Sequence, residues 1–226
     1  MKYMIHTCNS RLWYVEKFLV PSMVEQGIKE KDIKIWLDKE EKGNLDAFME
    51  SARYCGKRNG GMWHLQDDVV ISADFAERTK DHSKAIQCGF CRQKFEQFED
   101  QIGKVVATYM WYSFPCIYVP NAIMGACAEW FYGDVLRRGR YKELVREKKF
   151  DDEFFRRFIL QERPDTEVYN LVPNLVENID YMIGGSVTNG CRPGDIRALY
   201  WEDPEIVEKL EKELSGVLSG PEKALD

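Results

Sequence analysis

Two adjacent aspartates, Asp67 and Asp68, suggest chemistry more directly than any other residues in this sequence. They lie in the stretch WHLQDDVVI (63–71), between an apolar segment and a β-branched run. Neighbouring carboxylates at the end of a buried strand repel each other and lose solvation, which is costly unless a cation compensates them. Mg²⁺ is commonly held by one or two carboxylates together with substrate phosphates. The pair therefore predicts a divalent metal with a diphosphate, or alternatively the start of a turn or a helix cap.

The elements around this pair follow an alternating pattern. We predict strands at residues 3–8, 32–38 and 61–71, a helix from about residue 12 to Gly27 that Pro21 breaks or kinks, and a helix capped by Asn44. Strands alternating with helices at these lengths indicate βαβ units with a parallel sheet. The expected fold class is α/β, with a mostly parallel central sheet flanked by helices.

Further elements are predicted in the second half of the chain. These are a strand over 104–112, a helix ending near Gly139, an acidic-led helix in FDDEFFRRFILQ, and a final helix capped by Asp203 with Pro204 in its first turn. No composition shift marks a second domain. We therefore expect one domain over residues 1–218 and a frayed tail over 219–226.

Composition and motifs exclude several classes of protein. The net charge is −6 and 44% of the residues are hydrophobic, as in an ordinary globular protein. No apolar run is long enough for a membrane span, and the first residues do not resemble a signal peptide, so a cytoplasmic location is expected. The patterns G-x-G-x-x-G and G-x-x-x-x-G-K-[ST] do not occur. Cys88 and Cys91 in CGFC form half a zinc motif at most, and buried thiols are the expected alternative.

Several segments together resemble GT-A fold nucleotide-sugar glycosyltransferases. LQDDVVISADFAERT is similar to the acidic metal-binding motif of that family, and IHTCNSRLWYVEKFLVPSMVEQGI to its first strand, nucleotide loop and helix. FDDEFF resembles its late acidic helix, and VYNLVPNLVENIDYMIGGS its closing segment. The matches cover about three quarters of the chain in the family's order. The resemblance implies a single GT-A-like, Rossmann-like domain and transfer of a sugar from a nucleotide diphosphate to an acceptor hydroxyl.

The resemblance also implies roles for residues of the donor site. Asp68 would bind Mn²⁺ or Mg²⁺ bridging the two phosphates, while Asp67 would assist it or hold the ribose, and Gln66 would contact the ribose as a neutral group. The donor would be a UDP-sugar rather than a GDP-sugar. The remaining residues expected at the donor are Thr7, Arg11 and Asp38. For Asp38 an ordinary polar residue opening a loop is the alternative, and for Arg11 a solvated charge at a helix start.

The closing segment departs from the family pattern at two positions. Asn174 replaces the usual Ser, and Asn178 occupies a position where a His often contacts the metal. An amide oxygen still suits Mg²⁺ or Mn²⁺, so Asn178 is expected as a further ligand. His64, next to the acidic stretch, is expected to be a buried core residue rather than a ligand.

Asp151 and Asp152 are the candidates for the catalytic base. In an inverting enzyme a carboxylate takes the proton of the acceptor hydroxyl while the nucleoside diphosphate departs. By analogy with the acid that opens the family's late helix, Asp152 is the first choice and Asp151 the second. The alternative is that these acids only complement a helix N-terminus.

The acceptor is suggested only indirectly. One candidate is a set of aromatic residues, which are either core or an acceptor surface: Trp111, Tyr112, Trp130, Phe131 and Tyr132. The other is a basic tract from Arg137 to Arg157. It is either a solvated face or a surface that binds a polyanion such as DNA carrying hydroxymethylated pyrimidines. Rival functions are a sugar nucleotidyltransferase-like enzyme and a non-catalytic nucleotide-binding protein.

Overall fold

The structure, a computed structural model, describes residues 2–40, 42–80, 84–90, 103–106, 115–136, 151–184, 198 and 201–218. The strands are β1 (Tyr3–Cys8), β2 (Ile33–Asp38), β3 (Gly61–Gln66), β4 (Val69–Ile71), β5 (Ile86–Cys88), β6 (Gly103–Val106), β7 (Cys116–Pro120), β8 (Val168–Val172) and β9 (Val176–Asn178). The α-helices are α1 (Leu12–Tyr14), α2 (Val20–Glu25), α3 (Asn44–Cys55), α4 (Phe75–Arg78), α5 (Asn121–Trp130), α6 (Asp151–Glu162) and α7 (Pro204–Leu218).

Within these residues, seven strands form one central sheet in the order β2-β1-β3-β7-β5-β8-β6. Strand β1 is parallel to both β2 and β3, and β5 is parallel to β8. Strand β7 is antiparallel to its neighbours β3 and β5, and β6 is antiparallel to β8. Five strands therefore run in one direction and two in the other, which confirms the predicted α/β class with a mostly parallel central sheet.

The third predicted strand is two strands. We expected one strand over residues 61–71, but β3 ends at Gln66 and Asp67 and Asp68 form a turn. The following residues Val69–Ile71 leave the central sheet and pair antiparallel with β9. Both halves are apolar, so composition does not reveal the break between them. The alternative prediction, that Asp67 and Asp68 begin a turn, is therefore correct for their backbone conformation.

Pro21 does not end the first helical segment. A π-helix (Val15–Leu19) joins α1 to α2, and Pro21 lies in the first turn of α2. Proline is tolerated in a first turn because the amide it lacks has no partner there in any case. The predicted break at Pro21 is wrong, and helical backbone continues to Glu25.

Two apolar layers cover the two faces of the sheet. One contains Ile5, Trp63 and Leu65 with side chains from the first helical segment and α7. The other contains Met4 and Met62 with side chains from α3, α5 and α6. This alternation follows from the two-residue period of a strand. No helix among the described residues is long and apolar enough to cross a membrane.

A glycine contact sets the distance between α3 and α5. A Cβ on Gly125 would lie 2.8 Å from the Cα of Gly56, which is closer than atoms can approach without a backbone shift. Both glycines therefore let the two helices approach closely. This packing fixes the position of Phe48 on α3, which contacts Phe155 of α6 with ring centroids 5.9 Å apart.

The final helix begins at Pro204, as predicted. The Asp203 carboxylate accepts a hydrogen bond from the backbone amide of Ala73 at 3.0 Å. The predicted capping residue therefore also ties α7 to the segment that follows β4. The expected tail over 219–226 lies outside the described residues.

Candidate functional site

The carboxyl ends of three parallel strands meet at one edge of the sheet. In the strand register Cys8 lies opposite Asp38, and His6 lies opposite Gln66. The acidic turn follows Gln66 directly. Open α/β sheets bind ligands at this edge. The fold thus brings the predicted residues of the first, second and third strands to the same edge.

Arg11 contacts both carboxylates of the acidic turn. Its Nη1 lies 3.0 Å from Asp67 Oδ1 and 3.2 Å from Asp68 Oδ2, and its side chain is only 6% exposed. The turn after β1 positions it, because the Arg11 amide donates to the Cys8 carbonyl at 3.2 Å. The alternative of a solvated charge at a helix start is wrong. Arg11 is instead the positive charge that compensates the buried acidic pair.

The Asp67 carboxylate is held from two sides. Its Oδ1 accepts from Arg11, and its Oδ2 accepts from the backbone amide of Cys8 at 3.4 Å. Thr7, one residue earlier on β1, is buried. Asp67 thus ties the end of β1 to the end of β3.

Asp68 retains one carboxylate oxygen without a partner. Its Oδ1 is buried and makes no hydrogen bond among the described residues. Burial, followed by the charge of Asp67, raises the pKa of Asp68 to about 6, against the opposing effects of Arg11 and Asn178. Burial, followed by the charges of Asp68 and Asp67, raises the pKa of Tyr14, whose hydroxyl donates to the Val69 carbonyl at 2.8 Å.

The small β4–β9 sheet brings Asn178 to the acidic turn. Asn178 pairs in register with Val69, and the amide of Ile179 donates to the Asp68 carbonyl at 2.8 Å. The side-chain oxygen of Asn178 accepts from the backbone amide of Asp180 at 3.1 Å. A backbone N–H is an unambiguous donor, so this bond assigns the oxygen and turns the amide nitrogen away from Asp180. The role of Asn178 as a metal ligand stays a prediction.

Glu177 was not identified from the sequence. It is buried, and its Oε1 accepts from the backbone amides of Asn178 at 2.7 Å and Ala198 at 2.8 Å. It therefore anchors residue 198 beside β9. A charged residue inside the apolar run LVPNLVEN was the available signal, because a buried charge requires specific partners.

Asp38 organises its own loop. Its two carboxylate oxygens accept from the backbone amides of Lys42 and Gly43, each at 3.1 Å. Gly43 has a φ of +94°, a conformation that favours glycine, and precedes α3. These bonds are those of an aspartate that opens a loop. Its contact with a nucleoside stays a prediction.

Asp151 rather than Asp152 is the buried acid at the start of α6. Burial, then the charge of Asp152 and also that of Asp68, raises the pKa of Asp151 to about 7. Asp152 is more exposed, and its Oδ1 accepts from the amide of Glu153 at 2.6 Å. The electrostatic influence of Asp68 on Asp151 links this helix start to the acidic turn. The roles of both residues as candidates for the catalytic base stay predictions.

Two histidines lie next to each other on β1 and β3. His6 Nε2 and His64 Nδ1 are 3.0 Å apart, and the rings stack with centroids 5.3 Å apart. Burial lowers the pKa of His6 to about 4 and that of His64 well below its usual value. His64 is 1% exposed, as expected of a core residue.

The predicted metal ligands do not form an open ligand set. Both Asp67 oxygens, Asp68 Oδ2 and the Asn178 oxygen already have partners, and the buried Arg11 guanidinium lies within 3.2 Å of both carboxylates, where it would repel a divalent cation. In the described part of the chain no three His, Cys, Asp or Glu side chains are grouped so that they could hold an ion. The residues in this conformation therefore do not fit a resident Mn²⁺ or Mg²⁺. Cys88 is buried in β5, and Cys91 lies outside the described residues.

The described aromatic candidates pack mainly as core. Trp130 lies 5.1 Å from Phe154 between ring centroids, and Phe131 lies 5.3 Å from the same ring. Arg53 stacks on Tyr132, with 5.6 Å from its guanidinium carbon to the ring centroid. The core alternative therefore describes Trp130 and Phe131. Trp111 and Tyr112 lie outside the described residues.

Most of the predicted basic tract also lies outside the described residues, which resume at Asp151. Within α6, Arg156 is paired with Glu153 at 2.7 Å. A surface groove of about 600 Å³ lies elsewhere, beside the starts of β5 and β8, and includes Lys84, Glu167 and Tyr169 in its lining. It lies at the opposite ends of these strands from the acidic turn's edge.

Comparisons with known proteins leave the function open. No protein-family model matches the chain, and no curated protein matches it. Among solved structures, the chain is similar to "Crystal Structure of A197 from STIV", with 14% identity and a TM-score of 0.39 over 79% of this chain and 85% of that one. An identity and a TM-score this low do not establish a shared activity.

Proposed function

We propose that this protein is a glycosyltransferase that moves a sugar from a nucleotide-diphosphate sugar to an acceptor hydroxyl. The observation that carries the proposal is the acidic turn, Asp67 and Asp68, which directly follows a strand ending at the carboxyl edge of the sheet. Asp151 adds a buried acid whose pKa the charge of Asp68 helps to raise. The sequence resemblance to GT-A enzymes adds support for this reaction class.

The proposed reaction assigns Asp151 to the acceptor. An acid with a pKa near 7 suits a general base at neutral pH, because about half of it is ionised and the ionised form is basic enough to take a proton. Asp151 would remove the proton of the acceptor hydroxyl, whose oxygen then bonds to the anomeric carbon. The bond from that carbon to the diphosphate breaks, and the nucleoside diphosphate leaves. Asp152, with its local hydrogen bond, would support the helix start.

The donor would bind across the ends of β1, β2 and β3. Thr7, Asp38 and Gln66 occupy these strand ends, with Arg11 and Asp67 just beyond them. A uridine nucleotide is the expected carrier. The acceptor stays a prediction, with hydroxymethylated pyrimidines in DNA as the alternative to a small-molecule hydroxyl.

Product analysis tests this function and its rival together. The purified chain is incubated with UDP- and GDP-sugars, with and without Mn²⁺, and the released nucleotide is identified. A transferase releases a nucleoside diphosphate, by transfer or by slow hydrolysis, whereas a nucleotidyltransferase run with a sugar phosphate and a nucleoside triphosphate releases pyrophosphate. Thermal shift with the same ligands reports binding, since a ligand stabilises the folded state by mass action. The proposal would be contradicted if no activated sugar gave either turnover or thermal stabilisation.

DNA as the acceptor is tested by its salt dependence. Binding to duplex DNA should weaken steeply as salt rises, because phosphate contacts release counterions. Failure to bind DNA at low salt would remove this alternative while leaving the transferase reaction intact.

A further inference from the structure

The Arg11 guanidinium occupies the place where a cation would otherwise compensate the acidic turn. A single nitrogen, Nη1, lies within 3.2 Å of an oxygen of each carboxylate. The three side chains are all largely buried, with exposures of 6%, 11% and 13% for Arg11, Asp67 and Asp68. Charges in such surroundings are weakly screened, so their pairing is much stronger than on a surface.

This arrangement leaves few oxygens for another cation. A divalent ion approaching Asp67 would have to share Oδ1 with the Arg11 guanidinium or Oδ2 with the Cys8 amide. At Asp68 it would find Oδ1 open but Oδ2 already paired. A Mg²⁺ or Mn²⁺ ion held by one carboxylate oxygen and water is bound weakly, and the nearby guanidinium repels it. Arginine cannot relieve this repulsion by losing its proton, because its pKa stays far above neutrality.

We propose that Arg11 closes the Asp67–Asp68 pair to free divalent cations, so that removing its guanidinium turns the pair into a metal site. The arrangement answers the question of how two adjacent carboxylates are tolerated in this fold without an ion. Its consequence for a glycosyl donor rests on the proposed function. The donor would bind beside the Asp67–Asp68 carboxylates, whose negative charge Arg11 already compensates. Arg11 thus acts as a positioning residue for both carboxylates.

Mn²⁺ binding without nucleotide tests this role. The full chain is titrated with Mn²⁺ alone, and the free ion is followed by its electron paramagnetic resonance signal. We expect no saturable binding by the wild type at millimolar Mn²⁺. Arg11→Gln should instead show saturable binding of one equivalent in the same concentration range, because the guanidinium that repels the ion and pairs with both carboxylates is gone. The double variant Arg11→Gln with Asp68→Asn should lose that binding.

Two controls keep the test decisive. Circular dichroism and thermal unfolding show whether each variant is folded, and Arg11→Lys, which retains the charge, should stay closed to Mn²⁺. The wild-type arm is informative by itself. Saturable Mn²⁺ binding by the wild type that Asp68→Asn abolishes would overturn the proposal, as would a folded Arg11→Gln variant that binds no Mn²⁺.

A parallel titration with UDP separates this proposal from the proposed function. If UDP does not bind under any condition while Arg11→Gln gains Mn²⁺ binding, the role of Arg11 stands and the donor site fails. If UDP binds and the wild type also takes up Mn²⁺ through Asp68, the donor site stands and the role of Arg11 fails.

Discussion

The acidic turn and the histidine pair pose the same electrostatic problem and solve it differently. Each places two like titratable side chains side by side at the β1–β3 part of the sheet. Asp67 and Asp68 lie against the buried Arg11 guanidinium, which contacts an oxygen of each carboxylate. His6 and His64 lose their charge because burial lowers both pKa values. The comparison shows that this fold places like side chains together either beside a buried counter-ion or where burial removes their charge.

The largest expected effect is the loss of transfer rate when Asp151 is replaced. Asp151→Asn should lower the transfer rate by about 10²- to 10⁴-fold, the usual contribution of a general base. Asp152→Asn is the matched control and should stay within a few-fold of wild type. The measurement is nucleoside diphosphate release at saturating donor, with donor binding checked for each variant. Full turnover by Asp151→Asn with intact donor binding would remove Asp151 from the mechanism.

Removing Arg11 should be the most destabilising change at the acidic turn. Arg11→Met leaves two buried carboxylates without their counter-ion, and breaking a buried ion pair typically costs about 3–5 kcal/mol. Adding Asp67→Asn and Asp68→Asn should recover part of that loss, because the uncompensated charges are then gone. Urea unfolding at neutral pH measures both values. Equal stability of Arg11→Met and wild type would show that the charges are not coupled.

The carboxylates with raised pKa values and the histidines should change the free energy of unfolding in opposite directions as pH changes. Asp68 and Asp151 have raised pKa values, so the folded state holds more protons than the unfolded state from about pH 4 to about 6 or 7, and stability falls as pH rises through this range. The histidines have lowered pKa values, so stability falls as pH drops from their usual value toward 4. Each group contributes up to about 1.4 kcal/mol per pH unit.

Variants separate these opposing slopes. Asp151→Asn should remove a loss on the alkaline side, so that stability depends more steeply on the histidines. The double variant His6→Leu with His64→Leu should remove the loss on the acid side. The measurement is the free energy of unfolding from pH 4 to 8. If both variants keep the wild-type profile, the pKa directions assigned to these groups are wrong.

The helix packing behind the histidine pair gives the smallest expected effect. Gly125→Ala forces a Cβ against Gly56 on α3, and such overpacking typically costs about 1–3 kcal/mol. Gly216→Ala on α7 is the control, because a Cβ there meets nothing within 4 Å. It should be neutral or stabilise the helix by up to about 1 kcal/mol. Thermal unfolding compares the two, and equal effects would contradict the close approach of α3 and α5.

The sequence predicted the elements well where the pattern was local. A short apolar run identified β1, alternation identified β2, and apolar spacing identified α3, α6 and α7. The predicted cap of α3 is wrong by one position, because Asn44 is the first helical residue and Gly43 precedes it as the cap. The prediction also failed at residues 61–71, because VVI is as apolar as MWHL and only its pairing with β9, about a hundred residues later, separates the two strands. Local composition carries no information about such a distant partner.

The sequence predicted that the acidic pair lies at a strand end, but it did not predict the contacts of the pair. The acidic pair at a strand end was recognisable from neighbouring residues. Its partner Arg11 is 56 residues away in sequence, so only the parallel arrangement of β1 and β3 reveals the ion pair. The choice between Asp151 and Asp152 depends on which face of α6 each residue occupies, and one position along a helix turns a side chain by about 100°.

A crystal structure of the wild-type chain with a bound UDP-sugar tests the central claim most directly. The account predicts the diphosphate at the carboxyl ends of β1 and β3, next to Asp67, Asp68 and Arg11, with the sugar toward Asp151. Donor bound instead in the groove near Lys84 and Tyr169, with the acidic turn unchanged and empty of ligand, would contradict it.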